Sequence, residues 1–145
     1  MEKQLMIGGQ ALRTLGSTRF TADTDYLVCV KNGSLFFHDK ENNVDYINAG
    51  AQNQKGANAN AAKFFAEIWK MEKNNNSGIA SVQAIAELKS YSLIQNCLNG
   101  DWKKADEAEF DLNFLKSLGA ILPTICSKYV TAGQFTEIAK IFATK

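Results

Sequence analysis

The spacing of apolar residues changes near residue 60, and this change constrains the fold more than any other feature of the sequence. Before it, apolar, aromatic and β-branched residues form short runs that are typical of strands: QLMI at 4–7, TDYLVCV at 24–30 and VDYIN at 44–48. After it, apolar residues recur at helical spacing in a segment running to about Lys73: Ala61, Phe64, Phe65, Ile68 and Trp69. We therefore expect an α+β fold, in which a small mixed sheet precedes packed helices.

Turn and helix signals refine this outline. The segment QALRTLG predicts a brief helix that ends at Gly16. The turn KNG between TDYLVCV and SLFFHD predicts a β-hairpin that joins those two segments. The Asn- and Gly-rich stretch 48–60 predicts a mobile loop and is the best candidate for a lid. Later helices are expected at about 84–98 and 104–118, followed by two short helical pieces near Pro123 and Gly133.

Length and composition limit the number of domains and the classes of partner. A chain of 145 residues that is 46% apolar can bury one core, so we expect a single domain over 1–145, with its sheet in 1–50 and its helical part in 61–145. A net charge of +1 gives no overall field for nucleic acid or an anionic membrane. Cys29, Cys97 and Cys126 are odd in number and far apart, as expected for reduced thiols. No apolar stretch approaches the roughly 18 residues of a membrane span, so we expect a cytoplasmic protein without a membrane partner.

Two glycines and two aspartates near the N-terminus are the most informative about function. Asp23 and Asp25 alternate at the start of a strand expected over Asp23–Val30, so both carboxylates would point to one side. Converging carboxylates suit Mg²⁺, which completes its octahedron with water and phosphate oxygens. Gly8 and Gly9 lack Cβ atoms, so their backbone N–H groups can approach a triphosphate closely. We therefore expect the chain to bind Mg²⁺ and a nucleoside triphosphate.

The segment between these two pairs supplies further candidate ligands for phosphate. Arg19 can hold phosphate oxygens through the fixed fork of its guanidinium group. Ser17, Thr18 and Thr21 lie nearby in the sequence. Arg19 and Thr21 are therefore candidate nucleotide-binding residues.

The segment GGQALRTLGSTRFTADTD resembles the nucleotidyltransferase superfamily that includes DNA polymerase beta. In that superfamily a Gly-Gly or Gly-Ser turn, a short helix and an Asp-x-Asp strand follow one another. The segment is most similar to small bacterial and phage enzymes of the abortive-infection type, and the matching residues are Gly8, Gly9, Ala11, Arg19, Thr21, Asp23 and Asp25. The resemblance covers residues 5–28 well. It implies transfer of a nucleoside monophosphate from a triphosphate to a hydroxyl acceptor, which is RNA, a protein side chain or a small molecule.

The same resemblance implies functional residues later in the chain. The superfamily places a third metal-binding and catalytic carboxylate on a later strand, and Asp45 is the candidate here. Relatives also carry a Lys-containing helix followed by an Asp-containing helix, for which this chain offers Lys89 and Asp111. Lys89 is accordingly a candidate nucleotide-binding residue. The chain departs from the later pattern, since Glu107 and Ala108 replace its usual Lys-Asp pair.

Each candidate also has a structural interpretation. An Asp-x-Asp pair commonly bonds its own backbone in a turn or caps a helix. Asp45 fits a solvated hairpin position, Arg19 a surface ion pair and Lys89 the solvated face of a helix. His38, the only histidine, lies next to Asp39, and we expect it to be incidental.

Two other functions are compatible with the sequence. The chain can keep the nucleotidyltransferase fold without its catalysis and act as an antitoxin-like or other protein-binding partner. It can also be a plain structural or assembly protein, which predicts no affinity for nucleotides. Metal-dependent release of pyrophosphate would separate an active enzyme from a binding module. The sequence indicates neither the preferred base nor the oligomeric state.

Overall fold

A computed structural model of the chain describes residues 3–144. The chain divides into two compact units, Met1–Ser81 and Val82–Lys145. The first unit contains the whole sheet and two helices, and the second contains the remaining helices. That the chain forms a single domain stays a prediction.

The first unit is built on a four-stranded mixed sheet. Its strands are β1 (Leu5–Ile7), β2 (Thr24–Val28), β3 (Phe36–Asp39) and β4 (Val44–Asn48), in the spatial order β1-β2-β4-β3. Strand β2 is antiparallel to β1 and parallel to β4, whereas β3 is antiparallel to β4. The predicted α+β class, with a small mixed sheet followed by helices, is therefore confirmed.

The predicted hairpin between TDYLVCV and SLFFHD is wrong, because β4 lies between these two segments. One reason is aromatic pairing across the sheet. The Tyr46 ring on β4 stacks on Tyr26 of β2 at 6.0 Å between centroids and on Phe37 of β3 at 4.6 Å. Such cross-strand pairs stabilise neighbouring strands, and only β4 in the middle position makes both.

A second contact joins the chain just beyond β2 to β4. The fully buried Asn48 side chain accepts the Val30 N–H at 2.7 Å and donates to the Val30 carbonyl at 2.9 Å. The Asn48 amide thereby satisfies both backbone groups of Val30, as a strand partner would. The chain after β2 is therefore held against β4 and does not turn back along β2.

The tight hairpin of the sheet joins β3 to β4. The Asp39 carboxylate accepts the backbone N–H groups of Glu41 and Asn42 at 3.1 and 3.2 Å. The φ angle of Asn43 is 52°, a left-handed conformation that asparagine tolerates well. Asp and Asn are typical turn residues for these two reasons, so DKENN carried a hairpin signal in the sequence.

Helices α1 (Gly8–Thr14) and α2 (Ala57–Met71) complete the first unit. Four residues of the predicted apolar face of α2, namely Ala61, Phe64, Phe65 and Ile68, are buried, which confirms the face, and the fifth, Trp69, is half-buried. The helix begins earlier than expected, at Ala57, so the predicted loop over 48–60 is shorter. Gly56 precedes the helix with a φ of 61°. The first turn of α2 consists of small and polar residues and is largely exposed.

In the described part of the second unit the regular elements are all helices, as the sequence predicted for this part of the chain. It contains α3 (Val82–Leu98), α4 (Trp102–Ser117), a 3-10 turn at Cys126–Lys128 and α5 (Ala132–Ala143). Its core is formed by small and aliphatic side chains: Ala84, Ile85, Ala86, Leu93, Ile94, Ala105, Ala108, Leu112, Leu115, Ile138 and Ile141. Within residues 3–144, every helix is too short or too polar to pass through a membrane.

Candidate functional site

Asp25 and Asp45 lie side by side on neighbouring strands. They are register partners in the parallel pairing of β2 with β4, where strands are about 4.8 Å apart. Asp25 shares its sheet face with the fully buried Leu27, because alternate residues of a strand point to the same side. Asp25 is half-buried and Asp45 is exposed. The sheet therefore brings together two carboxylates that are twenty residues apart in the sequence.

Asp23 lies one residue before β2, which begins at Thr24. Its backbone N–H donates to the Thr21 hydroxyl at 3.2 Å, so this part of the chain forms a local turn and not a strand. The strand expected over Asp23–Val30 is thus shorter at both ends, and strand alternation does not set the direction of the Asp23 side chain. The role of Asp23 as a metal ligand stays a prediction.

Gly8 follows β1 directly and lies against Asp25. The neighbouring residue Ile7 is the register partner of Asp25 in the β1–β2 pairing. The φ of Gly8 is 74°, and a Cβ atom at this position would overlap the Oδ2 atom of Asp25. Only glycine combines this backbone conformation with so close an approach to a carboxylate. The first glycine predicted to be functional is therefore adjacent to the predicted metal ligand.

Gly9, the second residue of α1, has an equally close neighbour in Thr21. A Cβ atom on Gly9 would overlap the side chain of Thr21, with the Thr21 Cβ at 2.8 Å and Oγ1 at 2.9 Å. The Thr21 carbonyl accepts a hydrogen bond of 2.9 Å from the Gln10 side chain. Gly9 and Thr21, both predicted to bind nucleotide, are therefore packed together beside α1.

Arg19 belongs to the loop that connects α1 to β2. Its backbone N–H donates to the Ser17 hydroxyl at 3.3 Å, and Ser17 itself is buried. Its carbonyl accepts a long hydrogen bond of 3.5 Å from the Arg13 guanidinium. The first of these contacts lies within the loop, and the second joins the loop to α1 through Arg13.

His38 is a feature of this site that the sequence analysis missed. It is the register partner of Asp45 in the antiparallel pairing of β3 with β4. Its Nδ1 atom lies 2.7 Å from Asp45 Oδ1. The turn residues DKENN at 39–43 were the signal that could have revealed this pair, because a hairpin at this position places residues 38 and 45 opposite each other. The hairpin was predicted at KNG instead, so the pair was not expected.

Of the predicted site residues, Asp25 and Asp45 line an open depression of about 440 Å³ on the sheet, together with His38. Its polar lining consists of Asp25, Asp45 and His38. Its apolar lining comes mainly from β3 and β4: Phe36, Phe37, Tyr46 and Ile47. The depression is open to solvent and brings three polar side chains together. Convergent polar groups on a concave surface are a general feature of ligand sites.

Lys89, the remaining predicted nucleotide ligand, lies on α3 in the second unit. Its ammonium group is 3.0 Å from Asp111 Oδ2 on α4. The Asp111 side chain is fully buried and the Lys89 side chain is 17% exposed. Lys89 therefore neutralises a buried carboxylate, and its role in nucleotide binding stays a prediction.

Asp25 and Asp45 are the residues of the first unit best placed to hold a divalent ion. No cluster of three or more His, Cys, Asp or Glu side chains suited to a metal occurs between residues 3 and 144. Two carboxylates meet the needs of Mg²⁺, which commonly takes one or two from the protein and the rest of its oxygens from water and substrate phosphates. The donor set therefore fits magnesium brought with a nucleotide.

Comparisons with known proteins identify no relative. No protein-family model matches the chain, and neither the curated proteins nor the solved structures provide a match. Function is therefore inferred from the site itself and from the motif in its sequence.

Proposed function

We propose that the chain is a magnesium-dependent nucleotidyltransferase of the cytoplasm, which transfers a nucleoside monophosphate from a triphosphate to a hydroxyl acceptor. The observation that carries this proposal is the alignment of Asp25 with Asp45 on parallel strands, with Gly8 packed against Asp25. This arrangement offers hard oxygen ligands next to a backbone segment that has no side chain. Such a combination suits a triphosphate that arrives with its metal ion.

Each residue of the site has a separate task in this proposal. Asp25 and Asp45 hold the ion, with Asp23 as an additional ligand from the turn before β2. The backbone N–H groups of Gly8 and Gly9 approach the phosphates. Arg19 and Thr21, from the loop attached to α1, hold phosphate oxygens.

The reaction is a displacement at the α-phosphorus. Magnesium, when bound, neutralises charge on the triphosphate and on the departing pyrophosphate. The acceptor oxygen forms a bond to the α-phosphorus while the bond from that phosphorus to the bridging oxygen breaks. Asp45 accepts the proton of the acceptor hydroxyl, and pyrophosphate leaves with the electron pair of the broken bond. The acceptor is RNA, a protein side chain or a small molecule.

One observation favours a second candidate, a nucleotide-binding module that performs no transfer and serves as an antitoxin-like or other protein-binding partner. Lys89, the lysine that the resemblance assigns to the nucleotide, is engaged with the buried Asp111. In addition, Glu107 and Ala108, which precede Asp111 in the sequence, replace the Lys-Asp pair that is usual in the superfamily. In this candidate Asp25 and Asp45 still bind the metal and triphosphate, but no pyrophosphate is released.

Thermal unfolding with each of the four ribonucleoside triphosphates and Mg²⁺ tests the proposal. A ligand that binds only the folded state at one hundred times its Kd adds about 2.7 kcal/mol of stability, which raises the melting temperature. We expect this magnesium-dependent rise in the wild-type chain and its loss in Asp25→Asn. Asp106→Asn is the matched control, because Asp106 is an exposed carboxylate on α4 in the second unit.

Three outcomes separate the candidates. A rise that requires both magnesium and Asp25, together with pyrophosphate release in the presence of an acceptor, supports the enzyme. The same rise without pyrophosphate release under any acceptor condition supports the binding module. If none of the four triphosphates raises the melting temperature, the enzyme and the nucleotide-binding module are both wrong, and the result supports a protein-binding partner without nucleotide affinity.

A further inference from the structure

The side chain of His38 makes a direct hydrogen bond to the proposed third carboxylate. The contact joins His38 Nδ1 and Asp45 Oδ1 over 2.7 Å, a normal length for a bond to an ionised acceptor. The backbone fixes both residues, because they are register partners on β3 and β4. Two adjacent strands thus hold the imidazole ring against one particular oxygen of Asp45.

The chemistry of the two groups sets the direction of this hydrogen bond. An ionised carboxylate only accepts hydrogen bonds, so the hydrogen must be on Nδ1 of the imidazole. A neutral imidazole in the Nδ1–H tautomer and a protonated imidazole both meet this requirement. The contact therefore does not depend on the charge of His38.

The bond also gives the two carboxylate oxygens of Asp45 different roles. Oδ1 is engaged by the imidazole, which leaves Oδ2 as the oxygen for a metal ion or an acceptor hydroxyl. Carboxylates that bind metals are commonly oriented by a hydrogen bond of this kind, and loss of the orienting group typically lowers metal affinity or activity by about 10- to 100-fold. An exposed aspartate without such a partner would rotate among several conformations.

We propose that His38 is a positioning residue, which orients Asp45 so that Oδ2 is presented to the magnesium–triphosphate complex beside Asp25. This inference rests on the proposed function of the site. His38 itself touches neither the metal nor the nucleotide in this assignment. It acts through Asp45 alone, and the donor atom that matters is Nδ1.

Stability does not account for the pair by itself. The side chains of His38 and Asp45 are 44% and 53% exposed, and ion pairs at such exposed positions contribute little to the stability of a protein. A merely structural pair therefore predicts similar, small effects for every substitution of His38. A positioning role predicts that the effects depend on where the substituted side chain places its hydrogen-bond donor.

Asn and Gln replacements distinguish these two roles. The side-chain amide of Asn reaches about as far as Nδ1 of histidine, whereas that of Gln reaches toward the position of Nε2. We would titrate Mg²⁺ at a fixed, saturating concentration of the ribonucleoside triphosphate that stabilises the wild-type chain most. His38→Asn should keep the apparent Mg²⁺ affinity within about threefold, while His38→Ala and His38→Gln should lower it by about tenfold.

A double-mutant cycle shows whether His38 acts through Asp45. In the Asp45→Asn background, His38→Ala should cause no further loss of Mg²⁺ affinity. The melting temperature of each variant without ligand verifies that the chain is folded. A full tenfold loss that persists in the Asp45→Asn background would mean that His38 meets the nucleotide directly, and the positioning role would be wrong.

Two other results overturn the inference. If the wild-type chain binds Mg²⁺ and triphosphate but His38→Ala binds equally well, the positioning role is wrong while the proposed function stands. If Asn, Gln and Ala all weaken binding to the same extent, the position of the donor does not matter and the role is again wrong. If the wild-type chain binds no triphosphate at all, the proposed function fails first, and the inference fails with it.

Discussion

Each unit contains an aspartate paired with a basic side chain, and the two pairs differ in exposure. In the first unit, Asp45 and His38 meet at 2.7 Å with side chains that are 53% and 44% exposed. In the second unit, Asp111 and Lys89 meet at 3.0 Å with side chains that are 0% and 17% exposed. A buried pair cannot lose one member without leaving a charge that water does not solvate, whereas an exposed pair can. The first pair is therefore accessible to ligands, whereas the second is part of the core of its unit.

The largest expected effect follows from breaking the buried pair. Asp111→Ala leaves the Lys89 ammonium without its partner, and removing one member of a buried pair typically costs about 3–5 kcal/mol. Asp45→Ala is the matched variant in the exposed pair and should cost at most about 1 kcal/mol. Urea unfolding of both variants measures the two values. Equal losses would contradict the distinction between the pairs.

The buried pair also allows a test of the predicted nucleotide role of Lys89. Replacing both members with apolar residues, as Lys89→Met with Asp111→Leu, should recover most of the lost stability, because no unpaired charge remains. If Lys89 is only structural, this folded double variant should keep the magnesium-dependent rise in melting temperature. Loss of the rise in a chain of normal stability would instead support Lys89 as a nucleotide ligand.

A substitution of Gly8 tests whether the site of the first unit can accommodate an added side chain. Gly8→Ala adds a Cβ that overlaps Asp25 Oδ2 at a φ of 74°, so both strain and collision destabilise the chain. Gly16→Ala is the control, because Gly16 has a φ of 108° but no atom within 4 Å of the added Cβ. We expect about 1–2 kcal/mol for the control from backbone strain, and more for Gly8→Ala.

Ligand binding provides a second measurement on the same two variants. Gly8→Ala should abolish the magnesium-dependent rise in melting temperature, because it displaces the Asp25 carboxylate. Gly16→Ala should keep the rise. If Gly8→Ala binds triphosphate normally, the close approach of Gly8 to Asp25 has no part in the site.

A smaller effect is expected in the pH dependence of stability, where two carboxyl groups have pKa values shifted in opposite directions. Burial raises the pKa of Glu87 above its ordinary value of 4.5, although the N–H groups of Cys126 and Ile125 act in the opposite direction. The hydrogen bond from the Asn42 side chain, followed by that from the Asn42 backbone, lowers the pKa of the half-buried Asp39 below 3.8. The two groups therefore affect stability with opposite signs.

For Glu87, the folded state binds the proton more tightly than the unfolded state does. Its contribution to stability is therefore fully present below pH 4.5 and is lost as the pH rises through the folded-state pKa. For Asp39, the contribution is present above pH 3.8 and is lost as the pH falls through the lower folded-state pKa. The free energy of unfolding in urea should be measured at pH values below and above both ordinary values. Glu87→Gln should remove the loss of stability at rising pH, and Asp39→Asn should remove the loss at falling pH. Parallel pH profiles for wild type and both variants would contradict the assignment.

The local pattern of the sequence was enough to predict most elements of secondary structure. The spacing of Phe64, Phe65 and Ile68 predicted the buried face of α2, and this was confirmed because helix periodicity is a property of neighbouring residues. Helices α3 and α4 of the second unit likewise begin and end within a few residues of the expected positions, whereas α5 is longer than the short piece expected there. Strand pairing was predicted poorly. The apolar run TDYLVCV can pair with a strand on either side. The residues around it do not show that its neighbour is β4, where the prediction had placed β3.

The candidate site divides in the same way. Gly8, Gly9, Thr21, Asp23 and Asp25 lie in one short segment, so their order and spacing can be read directly from the sequence. The neighbours of Asp45 cannot be read in this way, because they depend on the register of three strands.

The alternation of strand and helix, the positions of the two glycines and the local spacing of candidate ligands can be read from the chain alone, because they depend on residues within a few positions of one another. The alignment of Asp25, Asp45 and His38 in a row across the sheet, and the pairing of Lys89 with Asp111, become visible only in the folded molecule. Strand order, register and helix packing are set by contacts between distant segments. The free energy of those contacts comes from burial and pairing over the whole unit, and it leaves no fixed spacing in the sequence.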